Sequence, residues 1–114
     1  MKKMAYLRKE KETVEMDYSL DKVWIAVQNV LKHLELNIEQ IDEKTHRVKA
    51  KTKTALMAWG SVLLIDVVPV NENTTRVSVT AETPVTTITS VIDFGLTKRR
   101  IYVFLGELSH ELAN

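Results

Sequence analysis

Cysteine is absent from this sequence of 114 residues, and glycine occurs only three times. Without cysteine the chain can form no disulfide, has no thiolate nucleophile and lacks the commonest structural zinc ligand. With so few glycines a phosphate-binding loop is hard to build, and neither that loop nor a dinucleotide-binding fingerprint is present. These absences remove the commonest catalytic and cofactor-binding signatures.

An excess of charge of one sign is also lacking, because 16 basic and 15 acidic residues leave a net charge of +1. Such a chain has no global field that would attract nucleic acid. The N-terminus is rich in lysine, but the apolar core of a signal peptide does not follow. The longest apolar stretch, residues 55–70, is interrupted by Gly60, Asp66 and Pro69 and is too short to cross a membrane. We therefore expect a cytoplasmic location.

The hydrophobic pattern predicts a single α+β domain over residues 11–114, preceded by a flexible basic arm over residues 1–10. Alternating residues predict strands at 11–18, 36–41, 46–54, 61–70 and 75–82. Ser19 as an N-cap, followed by apolar residues at spacings of three and four, predicts a helix to about Leu34. A second amphipathic helix should end near Leu112. The order β-α-β-β-β-β-α with short turns indicates an antiparallel sheet with two helices packed on one face.

The strand at residues 61–70 and the connection before it are unusually apolar. The candidate apolar interface consists of Leu56, Met57, Trp59, Val62, Leu64 and Val68. A sheet covered by helices on one side normally has a polar opposite face, so a partner is one explanation for these residues. The alternative is that the threonine-rich connector at residues 83–91 shields the strand and Trp59 folds into the core.

Basic residues form a second candidate surface. The candidate anion-binding residues are Arg47, Lys49, Lys51 and Lys53 on one strand face, with Lys98, Arg99 and Arg100 at the start of the last helix. One interpretation is a surface for nucleic acid or lipid headgroups. The favoured alternative is a solvated strand face paired with acids such as Glu15, Asp17 and Glu39. Apart from Tyr102 no aromatic residue accompanies these cations, which disfavours nucleic acid as a partner.

Isolated polar residues give no sign of catalysis. His33, His46 and His110 lie far apart and have no metal-ligand spacing, so we expect no metal and no cofactor. Asp66 is the one charge within the most apolar strand, and burial would raise the pKa of such a carboxyl group. We interpret Asp66 instead as paired with Arg76 or Lys49. An enzyme is therefore not predicted.

Short motifs across most of the chain resemble a small bacterial domain family of unknown function. They are Tyr18-Ser19 with Val23-Trp24, Trp59-Gly60, Thr74-Thr75-Arg76-Val77-Ser78-Val79, Thr86-Thr87 and Asp93-Phe94-Gly95. Thr97 departs from that family, which often has Asn there. The resemblance implies the same element order and supplies no activity. The opening strand, Ser19 and Val23-Trp24 before a helix, and the long final helix are also similar to SRPBCC-type helix-grip domains, which have more strands and bind lipids and other apolar ligands.

Three functions follow from these patterns. The leading prediction is a non-catalytic binding or assembly module that uses the apolar surface around residues 56–59, with a second copy of the chain, another protein or a membrane surface as partner. The first alternative is a carrier of a small apolar ligand between the first helix and the sheet, lined by Tyr18, Trp24 and Val27. The second alternative is an anionic-surface binder that uses the basic residues from Arg47 to Lys53.

Overall fold

Five strands and two helices follow one another in the computed structural model, which describes residues 5–52, 62–86 and 96–114. The strands are β1 (Ala5–Met16), β2 (Asn37–Asp42), β3 (Arg47–Lys51), β4 (Val62–Asn71) and β5 (Thr74–Thr86), and the helices are α1 (Leu20–His33) and α2 (Leu96–Ala113). This order confirms the α+β class and the predicted β-α-β-β-β-β-α sequence of elements.

The strands form one antiparallel sheet in the order β1-β5-β4-β3-β2. Its two faces differ in burial because side chains alternate along each strand. The inner face, which packs against the helices, is formed by Val48, Ala50, Leu63, Ile65, Val67, Val77, Val79 and Ala81, all at most 3% exposed. The opposite, outer face is mostly polar. Both helices therefore cover a single face, as predicted.

β1 begins at Ala5 rather than at the predicted Lys11. Residues 5–10, which we predicted as part of a flexible arm, pair with β5 from Ala5 opposite Thr86 to Glu10 opposite Ala81. The sequence did not indicate this part of the strand because residues 8–12 are all charged and show no apolar alternation. Their strand conformation is set by the neighbouring strand, which itself continues past the predicted end at Glu82.

α1 has the predicted start and a well-defined end. The Ser19 side chain caps the helix by accepting a hydrogen bond from the Lys22 backbone N–H over 3.4 Å. At the other end the Leu36 N–H donates to the Leu31 carbonyl over 2.9 Å and the Glu35 N–H donates to the Lys32 carbonyl over 3.0 Å. This pair of bonds is a Schellman motif, which requires a left-handed residue, and Glu35 has φ 60°. The chain thereby turns directly into β2.

α2 completes the core and runs antiparallel to α1. Its side chains Ile101, Phe104 and Leu108 are fully buried. The Asn29 amide donates to the Glu111 carboxylate over 3.3 Å, and His33 Nε2 lies 3.9 Å from a Glu107 oxygen. Increasing residue numbers on α1 thus meet decreasing numbers on α2, which brings the end of α1 to the start of α2. Within the described ranges neither helix is long and apolar enough to span a membrane.

Candidate functional site

A cavity of about 260 Å³ opens where the end of α1 and the start of α2 meet the inner face of the sheet. We call it the helix-end cavity. It is lined by Leu34, Leu36, Thr52, Leu63, Arg99, Arg100 and Val103. The antiparallel helices and the Schellman turn at Glu35 bring these residues together, although they are spread over most of the sequence.

The walls of the helix-end cavity are chiefly apolar. Leu63 is 2% exposed and forms part of the inner sheet face, while Leu34 and Leu36 are half-buried on either side of the Schellman turn. Val103 is 45% exposed, although Ile101 and Phe104 on the same helix are fully buried. An apolar side chain that lines a cavity and remains half open to solvent leaves surface that a ligand could bury.

The basic residues at the start of α2 divide between two sides of the helix. Arg99 and Arg100 line the helix-end cavity. Lys98 does not, and its ammonium group lies 5.9 Å from the Tyr102 ring centroid. The Nε atom of Arg100 is buried without a hydrogen-bond partner among the described residues. None of the described residues that line the cavity is an aspartate or a glutamate, so this wall is positively charged.

The other predicted basic residues lie on the outer face of the sheet and are largely paired. Arg47 Nε is 2.7 Å from Asp66 Oδ1, and Lys49 Nζ is 3.9 Å from Glu39 Oε1. Asp66 therefore pairs with Arg47, which lies opposite it in the β3–β4 register, and not with Arg76 or Lys49 as predicted.

The remaining cations and acids of the outer face are described only in part. Arg76 binds Glu15 over 2.9 Å on the outer face. Lys51 is exposed at the end of β3, and Lys53 lies outside the described residues. The structure thus separates the two basic clusters, since one lies on the outer sheet face and the other beside the helix-end cavity.

The candidate apolar interface is described only where it belongs to β4. Val62 and Leu64 are half-buried and Val68 is 45% exposed, and all three lie on the outer face. Their cross-strand neighbours on β5 are Glu82, Thr80 and Arg76. Leu56, Met57 and Trp59 lie outside the described residues, as does most of the connector predicted to shield this face.

The three residues predicted to line a ligand pocket beneath α1 lie in different environments. Trp24 is 7% exposed and Val27 is fully buried, and neither lines the helix-end cavity. Tyr18 lines a different groove, of about 520 Å³, between β1 and α2. The helix-end cavity lies at the far end of α1, beside Leu34 and Leu36, which sequence reasoning did not single out as site residues.

A larger concavity, of about 750 Å³, is bordered mainly by the β2–β3 hairpin and includes the paired residues Arg47 and Asp66. Its lining is largely polar and charged, and Arg47 and Asp66 within it already pair with each other. In the parts of the chain that the structure describes, no group of three or more histidine, aspartate or glutamate residues could hold a metal ion. The helix-end cavity is therefore the stronger candidate for a binding site.

Comparison with known proteins gives similarity of fold. No family model matches the chain and no curated protein matches it, so the resemblance to the family of unknown function has no support. A point mutant of norcoclaurine synthase from Thalictrum flavum, bound to a transition-state analogue, matches with a TM-score of 0.77 at 14% identity over 98% of each chain.

Two further solved structures have the same arrangement. Ara h 8.0201 matches with a TM-score of 0.69 at 9% identity over 96% of this chain and 100% of its own. The di-domain ARO/CYC protein BexL matches with a TM-score of 0.70 at 12% identity, over 93% of this chain and 46% of BexL. These neighbours support the SRPBCC-type likeness noted in the sequence. The chain therefore has the same α+β fold as these proteins, with a five-stranded antiparallel sheet and two helices.

Proposed function

We propose that this chain is a non-catalytic binding or carrier protein that holds a small, largely apolar ligand in the helix-end cavity. The observation that carries the proposal is the cavity itself, which has leucine and valine walls and opens between the two helices and the sheet. Sites for small molecules in proteins are concave and mostly apolar, with a few polar groups that orient the ligand. The helix-end cavity has this composition.

Size limits the ligand. At about 260 Å³ the cavity lies just below the usual range of roughly 300–1,000 Å³ for small-molecule sites. It therefore suits a short alkyl chain or a single ring better than a large polycyclic ligand. Each methylene group that leaves water contributes about 0.8 kcal/mol, so even a short chain gains useful affinity from apolar walls.

The fold supports a binding role without specifying the ligand. The structural neighbours include a norcoclaurine synthase bound to a transition-state analogue, so this arrangement of sheet and helices holds a small organic molecule in at least one other protein. The present chain shares 14% of its residues with that protein, and we transfer neither its substrate nor its activity. We propose binding rather than catalysis because the described lining of the helix-end cavity contains no carboxylate, histidine or other group suited to acid–base chemistry.

Filling the cavity tests this proposal. Val103 is half exposed, so Val103→Trp can occupy the cavity without replacing a core residue. The matched control is Tyr102→Trp, which introduces the same ring on the side of α2 that faces the other groove. We expect octanol to shift amide NMR signals around Leu34, Leu36 and Val103 in the wild type and in Tyr102→Trp, and not in Val103→Trp.

Native mass spectrometry of freshly purified protein gives a second readout. A bound small molecule should appear in the wild type and in Tyr102→Trp and be lost in Val103→Trp. If octanol shifts no signals at the cavity and no adduct appears in the wild type, the proposed function is wrong. Equal octanol binding by Val103→Trp would place the ligand elsewhere and would also contradict it.

A second candidate function is assembly through the outer face of β4. The specific observation is Val68, which is 45% exposed on a mostly polar sheet face. Light scattering during size-exclusion chromatography would show a dimer that Val68→Lys dissociates. Ile25→Lys is the control, because Ile25 is 60% exposed on α1, which packs against the inner face of the sheet. A monomer at high concentration, unchanged by Trp59→Ala, would exclude this function.

A further inference from the structure

We infer that the ligand of the helix-end cavity carries a carboxylate, which Arg100 and Arg99 bind while its apolar part contacts the leucine walls. This inference rests on the proposed function, because it names the chemical class of the ligand for the same cavity. Its support comes from the hydrogen bonding of Arg100, from the charges around it and from the shape of the acceptor that would satisfy it.

Arg100 is the strongest indication of a missing acceptor. Its Nε atom is buried and has no hydrogen-bond partner among the described residues. A buried N–H group without an acceptor is unfavourable, and most such groups in proteins are satisfied. Because Arg100 lines the helix-end cavity, an acceptor that enters the cavity can approach its guanidinium group, and Nε gains a partner when the side chain turns toward that acceptor.

The arginines of the sheet have a different environment from those at the cavity. Arg47 and Arg76 both lie on the outer face, and each binds a carboxylate, at 2.7 Å from Asp66 and 2.9 Å from Glu15. Arg99 and Arg100 form no ion pair with any residue in the described ranges, and no acidic residue of those ranges lines their cavity. The outer-face arginines thus have protein counterions, whereas within the described structure those at the cavity do not.

The position of these arginines on α2 adds to their positive potential. A helix N-terminus carries a partial positive charge and is stabilised by acidic residues in its first turn. The first turn of α2 contains none, and basic residues follow at positions 98–100. An anion at this end of α2 would interact favourably with both the helix dipole and the two guanidinium groups.

The form of the acceptor favours a carboxylate over a phosphate. The N–H groups of a guanidinium form a planar fork that matches the two oxygens of a carboxylate. A phosphate monoester carries close to two charges at neutral pH and is usually bound by several cations. Among the described residues no lysine lines the helix-end cavity, and the other lining residues are leucine, valine and one threonine. A short-chain carboxylic acid fits this combination of one anionic end and an apolar remainder.

The test compares three ligands with the same alkyl chain, which are octanoate, octanol and octyl phosphate. Their affinities are measured at neutral pH by NMR titration of the wild type, Arg100→Gln and Lys98→Gln. Lys98→Gln is the matched control, because it removes one positive charge from the same helix end without altering the cavity lining. We expect the wild type to bind octanoate about tenfold more tightly than octanol, as a charge-assisted hydrogen bond would give.

The variants should separate a local interaction from a general charge effect. In Arg100→Gln the affinities for octanoate and octanol should become about equal, while Lys98→Gln should keep the wild-type preference. Arg100→Met, which retains an unbranched apolar stem, is a second variant in case the glutamine disturbs folding. The wild-type ratios need no variant and can overturn the inference by themselves.

Failure of the inference and failure of the proposed function give different results. If none of the three ligands binds the wild type at the helix-end cavity, the proposed function fails and the inference fails with it. If octanol binds as tightly as octanoate, or octyl phosphate binds more tightly than octanoate, the cavity is a binding site but the carboxylate assignment is wrong. The assignment is also wrong if Arg100→Gln and Arg100→Met keep the preference.

Discussion

The indole Nε1 of Trp24 donates a hydrogen bond to Oε1 of Glu43 over 2.8 Å and thereby ties α1 to the turn between β2 and β3. The His46 ring stands edge-on to the indole with ring centroids 5.1 Å apart. Trp24 is 7% exposed, so water is a poor substitute for the glutamate. The hydrogen bond and the burial of the indole give Trp24 a structural role that joins α1 to the β2–β3 turn.

Replacing Glu43 by alanine should destabilise the protein. The change leaves the largely buried indole N–H without its charged acceptor, and we expect the free energy of unfolding to fall by about 1–2 kcal/mol. Urea denaturation followed by tryptophan fluorescence and by circular dichroism measures the change. Glu43→Gln retains an acceptor oxygen and should be less destabilised.

A matched control for Glu43→Ala is Glu72→Ala. Glu72 lies in the other hairpin turn, is exposed, and forms no hydrogen bond or ion pair with any of the described residues. Removing it deletes the same charge and leaves every described hydrogen bond in place, so the free energy of unfolding should change by less than about 0.5 kcal/mol. Equal destabilisation of both variants would show that the Trp24–Glu43 bond contributes nothing specific.

Asp42 should make the stability of the β2–β3 turn depend on pH. Its carboxylate accepts hydrogen bonds from the backbone N–H groups of Lys44 at 2.9 Å and Thr45 at 3.2 Å. The bond from Thr45, followed by that from Lys44, lowers the pKa of Asp42 below its ordinary value of 3.8. Because the folded pKa is the lower one, the stabilisation is complete above the unfolded pKa and is lost as the pH falls through the folded pKa.

The Asp42→Asn variant provides the reference for this effect, because its amide oxygen can accept the same bonds but does not titrate in this range. The stability advantage of the wild type over Asp42→Asn should be constant from neutral pH to about pH 5 and shrink below about pH 4. NMR titration of the Asp42 carboxyl carbon measures the pKa directly. A midpoint above 3.8, or an advantage that grows in acid, would contradict the assignment.

Much of the fold could be predicted from the sequence where apolar spacing is regular. Leu63, Ile65 and Val67 alternate along β4, and Val23, Val27 and Leu31 recur along α1, so these elements and their buried faces follow from periodicity. The first half of β1 could not be predicted in this way, because its charged residues become a strand only through pairing with β5.

The helix-end cavity could not be predicted because it depends on tertiary structure. Leu34 and Val103 are distant in sequence and meet only after the helices pack antiparallel. The sequence did identify Arg99 and Arg100 as candidate anion-binding residues, but it grouped them with Lys49, which the structure places on the outer face of the sheet. Composition and spacing indicated the chemistry of these residues, and the fold decided which of them share a site.

Glu35 occupies a backbone conformation that a glycine would adopt with less strain. It has φ 60° at the end of α1, where the Schellman motif requires a left-handed residue. A side chain in this region destabilises the folded state by roughly 1–2 kcal/mol. Glycine removes this strain, but its greater flexibility in the unfolded state offsets about half of the gain. Glu35→Gly should therefore raise the free energy of unfolding by about 0.5–1 kcal/mol.

The control for that change is Glu35→Ala, which removes the same carboxylate but keeps the Cβ atom that causes the strain. It should give no comparable gain in chemical denaturation. If alanine stabilises the protein as much as glycine does, the benefit comes from removing a charge near the last turn of α1, and the backbone explanation is wrong. Because Leu36 lines the helix-end cavity, unchanged octanol binding by Glu35→Gly would also show that the turn geometry is preserved.

The outer basic surface should bind polyanions only weakly, because Arg47 and Lys49 already have partners. Arg47 Nε lies 2.7 Å from Asp66 and Lys49 Nζ lies 3.9 Å from Glu39. A polyanion must compete with these carboxylates for the same cations, so we expect the wild type to elute from a heparin column at low salt. The double variant Glu39→Gln with Asp66→Asn should elute later, since both cations are then unpaired.

The control for the heparin experiment removes two negative charges elsewhere, through Glu72→Gln with Asp21→Asn. The two double variants have the same net charge, so only the local unpairing of Arg47 and Lys49 distinguishes their elution. If both elute together, net charge alone determines retention and the basic surface has no specific role. Strong retention of the wild type would instead favour the anionic-surface function if its dependence on salt became less steep in Lys49→Gln. Binding depends less steeply on salt when fewer cations neutralise the polyanion.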